Sequence, residues 1–83
     1  MIDIKKAWDI VKNNNPGMKV IVCNEIEKYY VFSLAPNDLK EGDGYGCSGV
    51  HIIDKVTGDY KTAHFTYVIH EPIIKEFDIK IFS

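Results

Sequence analysis

The sequence predicts an α+β fold, one N-terminal helix packed as a second layer on a four- to five-stranded, mostly antiparallel sheet. Three observations lead there. Ile4, Ala7, Trp8 and Val11 recur at i, i+3, i+4 and i+7, the stripe of an amphipathic helix. From Met18 the apolar period drops to two and stays there through several short runs. Between the runs stand polar or glycine-containing segments of the kind that reverse a chain. At 83 residues the chain has room for one core, so residues 1–83 are read as a single domain. Its apolar fraction of 46% and aromatic fraction of 12% are values for a folded chain and exclude intrinsic disorder.

The helix is expected over residues 3–13, with Asp3 as its N-cap. Asn13-Asn14-Asn15-Pro16-Gly17 ends it, since Pro16 cannot continue the helical hydrogen bonds and Asn and Gly accept turn conformations. In strand 18–24, Met18, Val20 and Val22 alternate with Lys19, Ile21 and Cys23. In strand 28–35, Tyr30, Phe32 and Leu34 alternate with Tyr29, Val31 and Ser33, and the short polar link between the two predicts an antiparallel hairpin. Residues 36–48 form a glycine-rich loop without periodicity, carrying Asp38, Glu41 and Asp43. Strands 49–54 and 59–67 follow as a second hairpin around Lys55-Val56-Thr57-Gly58, with Gly58 in the left-handed turn position. The end of the chain reads two ways: His70-Glu71-Pro72 opens a turn or short helix, and the alternation in 77–82 suits a fifth strand. One helix of this length covers one sheet face, which leaves the other face partly apolar, to be covered by the loop and tail or by a partner.

Composition narrows the function. Ten lysines stand against twelve acids with no arginine, for a net charge of −2 and a pI of about 5.8, which argues against a nucleic-acid partner. No run approaches the roughly 18 apolar residues of a membrane span, and the mixed charges of residues 1–6 do not suit a signal peptide. A cytoplasmic protein is expected, with Cys23 and Cys47 as free thiols, although a disulfide between them is also open.

No motif for catalysis or a cofactor survives inspection. Gly44-Tyr45-Gly46-Cys47-Ser48-Gly49 has the GxGxxG spacing, but a strand follows where a dinucleotide site needs a helix N-terminus. Cys47 has His51, His64 and His70 downstream, without a family signature to place them beside it. Closing the second hairpin at Asp54 and Asp59 pairs His51 with Thr62 and sets His64 on the same face, half of a metal site that lacks a third ligand at diagnostic spacing. No catalytic residue, metal or cofactor is assigned. The loop offers a different reading, in which Asp38, Glu41 and Asp43 form an acidic lip with Tyr45 as an aromatic anchor for another protein.

The N-terminal helix, the run Tyr-Val-Phe-Ser-Leu-Ala-Pro and the stretch Val-His-Ile-Ile-Asp-Lys-Val-Thr-Gly-Asp-Tyr resemble small uncharacterised α+β proteins of bacteria and their phages. The same residues are similar to bacterial immunity proteins, in which a strand ending in Asp-Lys leads through Thr-Gly into the next. The likeness covers residues 1–67 and implies a non-enzymatic binder that neutralises or accompanies another protein. It transfers no functional residue to this chain. The expected function is therefore a protein-binding module of accessory or immunity type. The alternatives are a self-associating assembly component and a small Cys/His-dependent enzyme or metal-binding protein.

Overall fold

A computed structural model of the chain describes residues 1–38, 49–64 and 71–82. Helix α1 (Ile4–Asn14) lies on one face of a five-stranded antiparallel sheet made of β1 (Met18–Glu25), β2 (Tyr29–Pro36), β3 (Gly49–Asp54), β4 (Tyr60–His64) and β5 (Lys75–Glu76). The strand order is β4-β3-β2-β1-β5, and a short 3-10 helix, η1 (Ile79–Phe82), follows.

Local chemistry explains the helix ends. The Asp3 carboxylate accepts from the Lys6 amide at 2.8 Å, which satisfies one of the amides that the first turn leaves open. At the other end the Asn15 amide donates to the Lys12 carbonyl, and Gly17 takes φ +84°, a conformation that side chains rarely adopt. Ala7, Trp8 and Val11 are buried as one stripe, and the Trp8 ring lies 6.0 Å from that of Phe32 on β2. Val20, Cys23, Tyr30, Phe32, Leu34 and Ile53 complete this layer. Truncating Phe32, which is fully buried, to alanine should cost about 3–5 kcal/mol, a large share of a small domain's stability.

β1 departs from simple alternation. The register steps from Val20↔Leu34 to Val22↔Ser33, so two residues on β1 span one on β2, a bulge. Beyond it the strand's sides exchange: Cys23 pairs with Phe32 and is buried beside Val20, while Val22 is 44% exposed. Strict alternation had placed Val22 with Val20 and Cys23 opposite.

The second sheet face is not left open. Ile26, Val31, Val50 and Ile52 form a buried cluster there, with Tyr29 and Ala63 partly buried against it, so within this chain that face is already covered. Ile53 belongs to the helix side and Val50 to the other. Of the expected strand 59–67, β4 holds Tyr60–His64; residues 65–67 lie outside the described residues, as do 39–48 of the expected loop.

The expected strand over 77–82 is corrected. The fifth strand is Lys75–Glu76, opposite Glu25 and Asn24, and the chain then turns into η1. Asp78 is the reason: its carboxylate accepts from the Lys80 amide at 2.9 Å and its carbonyl from the Ile81 amide at 3.2 Å, closing a tight turn where a strand would have to continue.

Lys55 ties the loops together. Its side chain is buried, yet its Nζ donates to Glu25 Oε2 at 2.8 Å and to the Ile26 carbonyl at 2.9 Å. Its backbone accepts from Ile2 and donates to Lys28, so one residue joins the N-terminus, the first hairpin and the second. Neutralising the carboxylate leaves the buried ammonium without its counter-charge, whereas removing the ammonium leaves a carboxylate that reaches solvent. Glu25→Gln is therefore expected to lower unfolding free energy by about 2 kcal/mol or more, and Lys55→Met by clearly less, as read by urea denaturation.

Candidate functional site

Of the expected site residues, Asp38 falls among the described residues. Asp38 is exposed in the turn after β2, where the Asn37 amide donates to the Gly17 carbonyl. Glu41, Asp43 and Tyr45 lie outside the described residues, as do Cys47 and His70.

The histidine register is as read, with His51 opposite Thr62, but the partner of His51 is a different one. Tyr60 lies on the same face, its ring stacked 5.9 Å from the imidazole and its hydroxyl 2.7 Å from Nδ1. Asn15 Nδ2 donates both to the Val11 carbonyl at 2.8 Å and to the Tyr60 hydroxyl at 3.0 Å. The chain is fully satisfied when the hydroxyl in turn donates to an unprotonated Nδ1. Burial pushes the His51 pKa down, in keeping with that neutral form. This network locks the end of α1 to the second hairpin. Among the described residues no three His, Cys, Asp or Glu side chains converge as a metal site. Cys23 is buried under the helix, and desolvation pushes its thiol up to about 12, the opposite of an activated nucleophile.

The turn between β3 and β4 is equally structural. Asp54 Oδ1 accepts from the Val56 and Thr57 amides at 2.8 and 3.0 Å, which holds its carboxyl below the usual range, and Gly58 takes φ +78°.

The surface with features beyond the needs of folding runs along the outer edge of β1. The Ile74 amide donates to the Glu25 carbonyl at 2.8 Å and the Phe77 amide to the Cys23 carbonyl at 2.9 Å, so the C-terminal segment is fastened to β1 by its backbone. Phe77 turns inward, edge-on to Tyr30 at 6.3 Å. The isoleucines around it turn outward: Ile73, Ile74, Ile79 and Ile81 are 51%, 61%, 42% and 41% exposed. Two depressions flank Ile79. One is bounded by Val22, Asn24, Glu76 and Asp78; the other, an open groove of about 430 Å³, lies between Trp8, Lys12, Met18, Lys19, Val20, Asn37 and Lys80. Residue spacing does not announce this surface, because its parts come from α1, β1 and the C-terminal segment. The apolar tail was the available signal.

No protein-family model, curated protein or solved structure matches this chain. The reading of the site accordingly rests on its geometry. Among the described residues no helix is long and apolar enough to cross a membrane.

The lowered His51 pKa has a defined sign. Unfolded chain takes up a proton near the ordinary value of 6.5 and the folded protein resists it to lower pH, so stability is full above that value and declines as pH falls through it. His51→Gln keeps an acceptor for Tyr60 without titrating. Between about pH 8 and about pH 5 the Tm of the wild type should fall further than that of His51→Gln, measured by thermal denaturation.

Proposed function

We propose that this chain is a small, non-enzymatic protein-binding module that occludes a partner, as immunity-type and phage-accessory proteins do. The observation that carries the reading is the set of isoleucines held outward along β1. A single exposed apolar side chain is ordinary, but four within nine residues, on a segment fastened by backbone bonds, with Ile79 sharing a depression with exposed Val22, put more apolar side chains in water than folding requires. Such surfaces are where proteins dock. The buried Cys23 thiol and the bond from Tyr60 that occupies His51 Nδ1 further favour a binding role over chemistry at those two atoms. The acidic lip extends the same proposal. Asp38 stands exposed one residue beyond Asn37 of the groove, and Glu41, Asp43 and Tyr45 follow it in sequence.

The test is capture of partners from an extract of the source cells with tagged wild type and with Ile73→Asp/Ile74→Asp, both first checked for folding by circular dichroism. One protein should be retained stoichiometrically by the wild type and lost by the variant. Equal retention by both would remove the isoleucine surface from the interface. Recovery of the bait alone, with light scattering showing an oligomer, would favour the assembly-component alternative.

A further inference from the structure

We propose that β4 is a self-pairing edge: two copies of this chain join antiparallel along it, about a two-fold axis through Thr62, and merge two five-stranded sheets into one of ten strands. β4 ends the sheet on the side away from β1, the C-terminal segment and the outward isoleucines, so this edge is separate from the surface read above as the partner-binding one. Lys61 and Thr62 are exposed, and among the described residues no strand lies beyond β4. The alternation of the ladder tells which backbone groups face outward. The Asp54 amide donates to the Asp59 carbonyl at 2.9 Å, and bonded pairs recur at every second residue, so Ile52 with Lys61 and Val50 with Ala63 are the bonded pairs that follow. The Ala63 carbonyl fits that assignment, standing 3.6 Å from where a side chain on Gly49 would begin. Lys61 and Ala63 thus direct their backbone groups to β3, while the N–H and C=O of Tyr60 and Thr62 point away from the sheet.

Side-chain identity decides which edge accepts a second copy. A strand that pairs with itself about a two-fold axis sets the axial residue opposite its own copy, and like charges opposite each other are unfavourable. At β5 the two residues are Lys75 and Glu76, so an axis on either opposes two like charges, a charged edge of the kind that prevents pairing. In β4 an axis on Lys61 fails in the same way. An axis on Thr62, the middle residue of Tyr60–His64, is the one that engages all five residues. It sets Thr62 opposite Thr62, Lys61 opposite Ala63 and Tyr60 opposite His64, with no like charges facing, and the Thr62 pair, whose groups point outward, exchanges both backbone bonds. The β-branched Thr at the axis suits an extended strand, and the Lys61 stem can lie along Ala63 of the second copy. Tyr60 comes to this edge already fixed, because its hydroxyl is held by Asn15 and His51. The dimer carries its two isoleucine surfaces at opposite ends of the joined sheet.

Five residues a side make a small interface, so a dissociation constant on the order of 10–100 μM is expected. Sedimentation equilibrium of the intact chain between about 10 μM and about 1 mM should follow a monomer–dimer curve. Across that range the Thr62 amide, read by hydrogen exchange, should slow several-fold, while the amides of Lys61 and Ala63, already bonded to β3, should change less. Thr62→Pro removes an outward N–H without touching the ladder to β3, so it should give a monomer with unchanged circular dichroism, and Thr62→Val should still dimerise. A monomer throughout the range, a dimer whose Thr62 amide exchanges at a rate independent of concentration, or a folded Thr62→Pro that still dimerises would overturn the proposal. Should Thr62→Pro not fold, exchange in the wild type decides. A chain that stays monomeric and whose Thr62 amide slows only with a captured partner bound gives the edge to that partner's strand, which refutes self-pairing. Ile73→Asp/Ile74→Asp should remain dimeric while losing its captured partner, so failure of this inference and failure of the protein-binding reading are told apart; loss of the dimer in that variant would move self-association to the isoleucines and away from β4.

Discussion

One extra residue in β1 decides which side chains this domain buries and which it presents. Without the bulge between Val20 and Val22, strict alternation would send Val22 under the helix and Cys23 outward. With it, Val20 and Cys23 both join Trp8 and Phe32 in the helix-side core, and Val22 faces out beside Ile79. The bulge thus serves the core and the outer surface together. It also sets which β1 carbonyls face the C-terminal segment, those of Cys23 and Glu25, and so where that segment docks.

The rest of the domain is built to keep β1 in place. Helix α1 presses on one side, and the apolar side chains of the second sheet face are buried as a cluster of their own, so both faces of the sheet contribute buried side chains. Two polar ties lock the periphery to this core. Lys55 joins three loops through Glu25 and backbone groups, and Asn15, Tyr60 and His51 connect the end of the helix to the second hairpin. For a chain this short, whose margin is a small difference between large terms, each such tie counts. The exposed isoleucines stand out against that economy, because they add nothing to the core and carry a hydration cost.

Much of the fold was legible in the sequence where the information is local. The stripe from Ile4 to Val11 with Asp3 ahead of it, the two hairpins, and the His51↔Thr62 register set by Asp54 and Asp59 all follow from spacing and turn chemistry. What was not legible depends on groups far apart in the chain or on a choice between competing hydrogen bonds. Nothing in Met18–Glu25 marks a bulge, since every residue there suits a strand. In Phe77–Phe82 the alternation was real, but the Asp78 side chain offered its neighbours' amides a turn, and the turn won. The Lys55–Glu25 pair spans 30 residues and the Asn15–Tyr60 bond 45, and neither partner carries a local signal of the other. The candidate surface joins residues from 8 to 80 for the same reason. The loop acids and Tyr45 looked the more conspicuous site in sequence because they are contiguous.

The outward isoleucines and the wall of the groove depend on the C-terminal segment being fastened to β1. Residue-resolved amide hydrogen exchange tests this most directly. The amides of Ile74 and Phe77, which donate to Glu25 and Cys23, should exchange at least roughly a hundredfold more slowly than in an unstructured peptide. Exchange of both at unstructured rates, with α1 and β2 still protected, would mean that the segment does not dock, and would contradict the account at its centre.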